Sequence, residues 1–418
     1  MIPVDVPRTT NPLNRNLGPG GSSGGEAALI ASYGSPLGVG TDIGGSLRIP
    51  ASATGLFTIR FSGNRLPNFD FRAGVPGQEA IVSVQGPLAR SLEDVVLYSR
   101  SIIDTEPWLQ DPKLLPIPWR NVEVPQKLKF AVIWDDGFVR LTPPVKRALE
   151  TTVEKLRRAG HEVVEWDNKP IAKAYGVLTR LFTVDGGRTI KNQIEAGNEP
   201  WPKPLEAFSN LKEVGTYDLW QLQRERNQIW KEWLDQWNAV EELDGLLVAA
   251  APYISARHLN YKHLGYTALF NLLDYSAAVF PSGVVADKDI DVKRADDLPE
   301  LHPLDKATRD DCKLDISEMK DSHVDSLQTI QKKSMVCLSA CSSLEEGCKR
   351  RKFSPWLAEY WKPSRRHNRR VTEPNHTDSN VFCHSFCAYG CHPSHSHMQS
   401  SYRDQARVLP LSHLPKLP

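Results

Sequence analysis

Residues 20–52, GGSSGGEAALIASYGSPLGVGTDIGGSLRIPAS, constrain the fold more than any other stretch of the chain. They hold nine glycines and only three charged residues. A Gly/Ser run taken alone is more often a flexible linker than a site. Here it is interrupted by EAALIASY (26–33), a good helix former closed by Gly34. PLGVGTDIGGSLRIP then alternates small and apolar residues. Glycine at that density marks close backbone approach or positive φ, so this region reads as an ordered, tightly turned scaffold.

The rest of the first 300 residues carries an α/β pattern. LKFAVIW (128–134) is a short apolar run and reads as a buried strand. Asp135-Asp136-Gly137 turns the chain, and Pro143 and Pro144 open a helix. Val145, Leu149, Val153 and Leu156 keep helical spacing up to Gly160, and HEVVEW (161–166) reads as the next strand. Strand, helix and strand in about 40 residues is the α/β signature. Residues 205–240 read as helical, LDGLLVAAAPYI (243–254) as a strand running into a loop, and GYTALFNLLDYSAAVFPSG (265–283) as a helix and a short strand ended by Pro281. There is no internal repeat. The 418 residues allow one large domain or two to three ordinary ones, and 40% hydrophobic content suffices for a sizeable core.

Some chemistries are excluded by what the Gly-rich stretch lacks. No Lys-Ser/Thr follows its glycines, so a phosphate-binding P-loop fails. No G-x-S-x-G surrounds Ser46. Gly21–Gly25 matches that pattern at Ser23, but no apolar strand leads into it. His161, His258 and His263 are the only histidines before residue 300, and each is expected to be structural.

The segment GGSSGGE, the helix after it and SPLGVGTDIGGSLRIP closely resemble the amidase signature family. GPLAR (86–90), VIWDDGFVRLTPPV (132–145), LRRAGHEVVEW (156–166) and GYTALFNLLDYSAAVFP (265–281) extend the resemblance over residues 8–300, nearest to the fungal acetamidase-like branch. It implies a mixed β-sheet core flanked by α-helices, and hydrolysis of a carboxamide to an acid and ammonia or amine. Amide hydrolysis needs a nucleophile, a base and donors for the tetrahedral oxyanion. Carried over residue by residue, Ser46 is the nucleophile. Ser22, held on a cis peptide, relays its proton to a lysine. The N–H groups of Ile43, Gly44, Gly45 and Ser46 form the oxyanion hole, a backbone nest that holds negative charge. Asp42 and Arg48 scaffold the loop. The resemblance implies no cofactor and no metal. The partner it implies is a small-molecule amide, without nucleic acid or a membrane span, in a cytoplasmic protein with a homodimer as candidate assembly. The net charge of +1 gives no global electrostatic case for nucleic acid or membrane, and no apolar run is long enough for a span. Small amides, aryl amides, fatty amides and aminoacyl-tRNA all remain open as substrates, and acyl transfer or ester cleavage remains open as reaction. Trp119, Tyr217, Trp220, Tyr261 and Tyr266 are expected to pack in the core rather than to line a pocket.

The family's lysine lies many tens of residues before the bridging serine, in a segment resembling GVPxxxKD. Only 21 residues precede Ser22, and no lysine occurs before Lys113. The resemblance therefore implies an N-terminally truncated, incomplete fold whose base is missing. The alternative function is a catalytically inactive amidase remnant or pseudoenzyme.

The composition changes near residue 311. Residues 1–311 carry 35 Lys+Arg against 40 Asp+Glu and no cysteine, whereas residues 312–418 carry 16 against 10 and all seven cysteines. A partial amidase domain is thus expected over 1–310, with an out-of-frame or disordered tail over 311–418. One permitted codon set for Met335–Lys352, read from its third nucleotide, spells GMPVGLQLVGRRLQEEE. That matches the GxPVGLQLVGRRxxEE segment with which the family ends its core. A frame slip between about Asp311 and Met335, from a sequencing error, a retained intron or a real lesion, accounts for the jump. It also disposes of a zinc reading of Cys383, Cys387 and Cys391 and of a nucleic-acid reading of RRHNRR (365–370). Sequencing of the locus and transcript is expected to restore GMPVGLQLVGRR in one of the other frames. Codons that cannot spell it there would sink the idea.

Overall fold

The apolar run at 128–134 forms β4 (Lys129–Ile133), and HEVVEW forms β5 (Glu162–Glu165), paired to it in parallel. Between them runs α4 (Pro143–Arg158), opened by its prolines after Thr142. Val145, Leu149, Val153 and Leu156 are all buried, which is the stripe their spacing predicts. The computed structural model describes residues 8–71, 74–287, 290–291, 301–308 and 333–340. The chain separates into two units, Met1–Lys362 and Pro363–Pro418, and all the described residues belong to the first.

The Gly-rich region yields α1 (Gly24–Ala31), β1 (Leu37–Asp42) and α2 (Arg48–Thr54). The elements after it are β2 (Phe57–Arg60), β3 (Val84–Ala89) and α3 (Leu92–Ile103). Ser91 caps α3 by accepting the Asp94 N–H at 3.1 Å. Beyond β5 come α5 (Pro170–Phe182), α6 (Arg188–Gly197) and α7 (Thr216–Ala239). The series ends with β6 (Gly245–Ala249), α8 (Gly265–Leu272), β7 (Ser276–Val285) and β8 (Lys333–Ala340).

The eight strands make one sheet in the order β1-β3-β2-β7-β8-β6-β4-β5. The β6-β4-β5 end is parallel and the remaining pairs are antiparallel. This is the mixed α/β architecture that the resemblance implies. Every residue of β6, and all but the first of β4, is buried. Parallel strands covered on both faces read as unbroken apolar runs for this reason.

Two expectations are corrected and another narrowed. Residues 205–240 are not helical throughout: a short 3-10 helix, Lys203–Asn210, is followed by the non-helical 211–215, where Gly215 ends the break, and only α7 is continuous. Pro281 does not end β7: the strand continues to Val285, with a register irregularity between Pro281 and Val285. Proline removes one ladder donor, so it interrupts the pairing there without ending the strand. Within 311–418, the range expected to lack order, Lys333–Ala340 is a strand that pairs with both β7 and β6. Its residues fill the gap between two strands whose backbone groups need partners. The Cys383/Cys387/Cys391 and RRHNRR readings lie outside the described residues.

The largest buried side chains lock α7 onto the parallel end of the sheet. Trp233 and Trp237 are completely buried, and Trp233 stacks on Trp166, just beyond β5, at 5.4 Å between ring centroids. Trp237 meets Tyr275 edge-on at 5.9 Å. Trp233→Ala is expected to cost about 3–5 kcal/mol. Urea unfolding followed by far-UV circular dichroism measures it, and a loss under about 1 kcal/mol would deny Trp233 this role.

Candidate active site

The centre of the site is a turn, residues 43–47, that joins β1 to α2. At its base sit a carboxylate and a guanidinium, both with no exposed side-chain surface: Asp42 and Arg48, whose Nη2 and Oδ1 lie 2.9 Å apart. Arg48 Nε donates to Asp42 Oδ2 at 3.0 Å. Three more donors complete the carboxylate's shell: the N–H groups of Gly45 (2.8 Å) and Leu47 (3.2 Å), and Asn271 Nδ2 (2.8 Å). A buried charge is tolerable only when so satisfied. Burial works to raise the Asp42 pKa. The charge and hydrogen bonds of Arg48, the more distant Arg60 charge and the Asn271 bond outweigh it, and hold the carboxyl below its ordinary value.

The turn is fixed from α8 as well. Arg48 Nη1 donates to the Thr267 carbonyl at 2.8 Å, and Arg48 Nη2 to Asn271 Oδ1 at 2.6 Å. Thr267 Oγ1 donates to the Gly44 carbonyl at 2.8 Å. Gly45 has φ +125°, and a Cβ there would collide with Thr267 Oγ1, so only glycine passes this point. Ser46 follows, half-buried.

The GGSSGGE loop comes to the same place. The Gly21–Ser22 peptide is cis, where the resemblance puts it. The Ser23 N–H donates to the Ser46 carbonyl at 3.2 Å, which stitches the backbone beside Ser22 to that of Ser46. Ser23 Oγ bridges to β1, donating to the Thr41 carbonyl at 3.4 Å and accepting the Thr41 N–H at 3.3 Å. Ser22 is exposed. The loop that carries Ser22 is thus tied, through the Ser23–Ser46 backbone bond, to the turn that carries Ser46 between Asp42 and Arg48.

One assignment changes. The resemblance implies that four N–H groups, those of Ile43, Gly44, Gly45 and Ser46, face an oxyanion. The Gly45 N–H is committed inward, to Asp42 Oδ1, and leaves that set. The N–H groups of Ile43, Gly44 and Ser46 have no acceptor among the described residues. Consecutive unpaired amides in a tight turn form an anion-binding concavity.

Sequence reasoning missed Ser23, Thr267 and Asn271. Asn271 left a trace, as a polar residue inside the apolar run GYTALFNLL, and it is 1% exposed. Each of the three histidines has a partner within the fold. His161 Nδ1 accepts the Leu128 N–H at 3.2 Å, and His258 Nε2 donates to the Arg15 carbonyl at 3.2 Å. His263 pairs with Asp136. Among the aromatics, Tyr266 is buried, but Tyr217 and Trp220 are 69% and 61% exposed on α7 and do not pack in the core.

Comparison with known proteins gives a consistent picture. A family model described as amidase matches residues 6–301. The chain is 37% identical to an acetamidase of Aspergillus oryzae over 72% of this chain and 58% of that protein. It is 36% identical to an acetamidase of Emericella nidulans, over 69% and 55% respectively. Among solved structures, a fatty acid amide hydrolase superposes with a TM-score of 0.72 at 30% identity, covering 79% of this chain and 58% of that one. The chain spans a little over half the length of these relatives.

The Asp42 shell has a pH consequence. A carboxyl whose folded pKa lies below its unfolded value stabilises the fold above the unfolded value, about 3.9, and that stability is lost as pH falls through the folded one. Asp42→Asn is expected to flatten the fall of stability below about pH 4 and, by leaving Arg48 buried without its counter-ion, to cost about 3–5 kcal/mol at neutral pH. Urea midpoints across pH 2–7 test both, and an unchanged acid limb would refute the coupling.

Proposed function

The chain belongs to the amidase family, and from that premise we propose that its fold serves hydrolysis of a carboxamide C–N bond, with Ser46 as nucleophile and Ser22 as proton relay. One observation carries the proposal. Ser46 sits on a turn whose Ile43, Gly44 and Ser46 N–H groups are unpaired among the described residues, and whose backbone is bonded to the residue next to Ser22. Ser46 Oγ attacks the carbonyl carbon and gives its proton to Ser22 Oγ, which passes its own to a lysine Nζ. The three amides stabilise the oxyanion. Collapse expels the leaving nitrogen, protonated through Ser22, and leaves an ester on Ser46. Water attacks that ester by the same route and releases the acid. Asp42 and Arg48 take no proton in this scheme; they hold the turn.

The lysine has no counterpart among residues 1–112. The second reading is a non-catalytic member of the family. We also infer a frame slip ahead of Met335; in its support, β8 overlaps, at residues 335–340, the stretch whose other frame spells the family's closing segment. Acetamidase and fatty acid amide hydrolase are names of relatives, and they leave the acyl group open from acetyl to long-chain.

A fluorophosphonate probe with peptide mass spectrometry separates the two readings, since only an activated serine is labelled. The expected result is an adduct on Ser46 that Ser46→Ala abolishes and Ser22→Ala slows by about 10²–10⁴-fold. A folded protein with no adduct on Ser46 would replace hydrolysis by the non-catalytic reading.

A further inference from the structure

A buried Asp–His pair lies behind the site. His263 Nε2 donates to Asp136 Oδ2, and the two residues are 1% and 2% exposed. His263 is walled by aromatic rings: Tyr175 at 5.4 Å, Tyr266 at 6.0 Å and Phe138 at 6.1 Å between centroids. Its Nδ1 is buried with no hydrogen-bond partner among the described residues. Among the described residues the ring therefore makes one directed bond, and both partners are buried.

The two partners belong to different elements. Asp136 organises the turn after β4: its Oδ1 accepts the N–H groups of Phe138 and Val139, each at 3.0 Å. His263 lies two residues before α8. Gly265, the first residue of α8, is wedged against the pair, because a Cβ there would collide with Asp136 Oδ2 and His263 Nε2. Tyr266 adds a parallel tie, its hydroxyl donating to the Val139 carbonyl at 2.5 Å. The start of α8 is thus pinned to the 136–139 turn. Further along, the same helix holds the nucleophile turn through Thr267 and Asn271.

We propose that Asp136 and His263 are positioning residues for Ser46, a role that rests on Ser46 being the nucleophile. Their bond fixes the axial position of α8, and α8 transmits it to the Gly44 carbonyl, to Arg48 and to Asp42. A helix is stiff along its axis, so an anchor at its first residue sets the placement of groups two and six residues on. Neither residue contacts the reacting atoms.

Amide hydrogen exchange, read by mass spectrometry on the full chain, tests the linkage without depending on activity. His263→Leu removes the donor at similar bulk. It is expected to raise exchange about tenfold in peptides covering 43–47 and 264–271, the scale of one buried hydrogen bond, and to leave α4 and β3 unchanged. His263→Gln keeps a donor at the ε position and is expected to restore protection to within about threefold of the parent. Fluorophosphonate labelling of Ser46 is expected to slow in parallel. Exchange at 43–47 that stays at the parent level, rises equally in α4 and β3, or is not rescued by glutamine would overturn the proposal. If His263→Leu does not fold, Asp136→Asn decides by the same criteria, since it keeps the turn's acceptor while weakening the bond. A parent protein that takes no label defeats the nucleophile assignment alone, and the exchange data still decide the linkage.

Discussion

The Asp42–Arg48 pair is the interaction on which the site depends. Both groups are fully buried, and in an apolar interior neither would persist without the other. Between them they engage the Gly45 and Leu47 amides, the Thr267 carbonyl and Asn271. One ion pair therefore sets the shape of the turn at 43–47, the start of α2 and the docking of α8. The Gly45 N–H faces inward because the carboxylate holds it there, and this limits the turn's amides that lack an acceptor among the described residues to those of Ile43, Gly44 and Ser46. Desolvation makes such a pair poor at adding net stability but strong at imposing geometry, because every alternative arrangement leaves a charge unpaired.

The sheet supplies the rigid frame. β1, the strand that leads into the turn, lies at one edge, and the parallel strands β6, β4 and β5 occupy the other end. α8, far along the chain from both turns, links them in space: it starts beside the turn after β4 and carries contacts to the turn after β1. A second buried cation, Arg60 on β2, bonds Asp274 Oδ1 at 2.8 Å and the Tyr275 carbonyl at 2.9 Å, just before β7. Two arginines near the start of the chain thus bond groups more than 200 residues away. Such contacts carry a large loop-closure cost, and a well-formed sheet must already hold the partners close.

Local pattern made much of the fold legible. The strand–helix–strand unit at 128–166 and the helix opening 265–283 read correctly, because apolar periodicity records which face is buried; the helical reading of 205–240 holds only for 216–239, since 203–210 is a short 3-10 helix and 211–215 is not helical. The candidate site was legible as a motif: Ser22, Asp42, Ser46 and Arg48 fall within a 27-residue span, in which Asp42 pairs with Arg48 and the residue after Ser22 bonds the Ser46 carbonyl. What escaped were partners without a local signature. Thr267 and Asn271 sit in an apolar helix, and Asp136 is one of two aspartates in an ordinary turn. Pro281 misled because proline usually stops a strand, whereas here a register shift absorbs it.

By itself, then, the sequence determined the α/β class, the order of most elements and the residues at the turn, since each is encoded in spacing and in glycine placement over short distances. Only the tertiary structure decided which amides of that turn remain unpaired, how α8 grips it, and that His263 is bonded to Asp136. Those outcomes depend on desolvation and on the satisfaction of buried polar groups. These are properties of the closed interior, and no short window of sequence contains them.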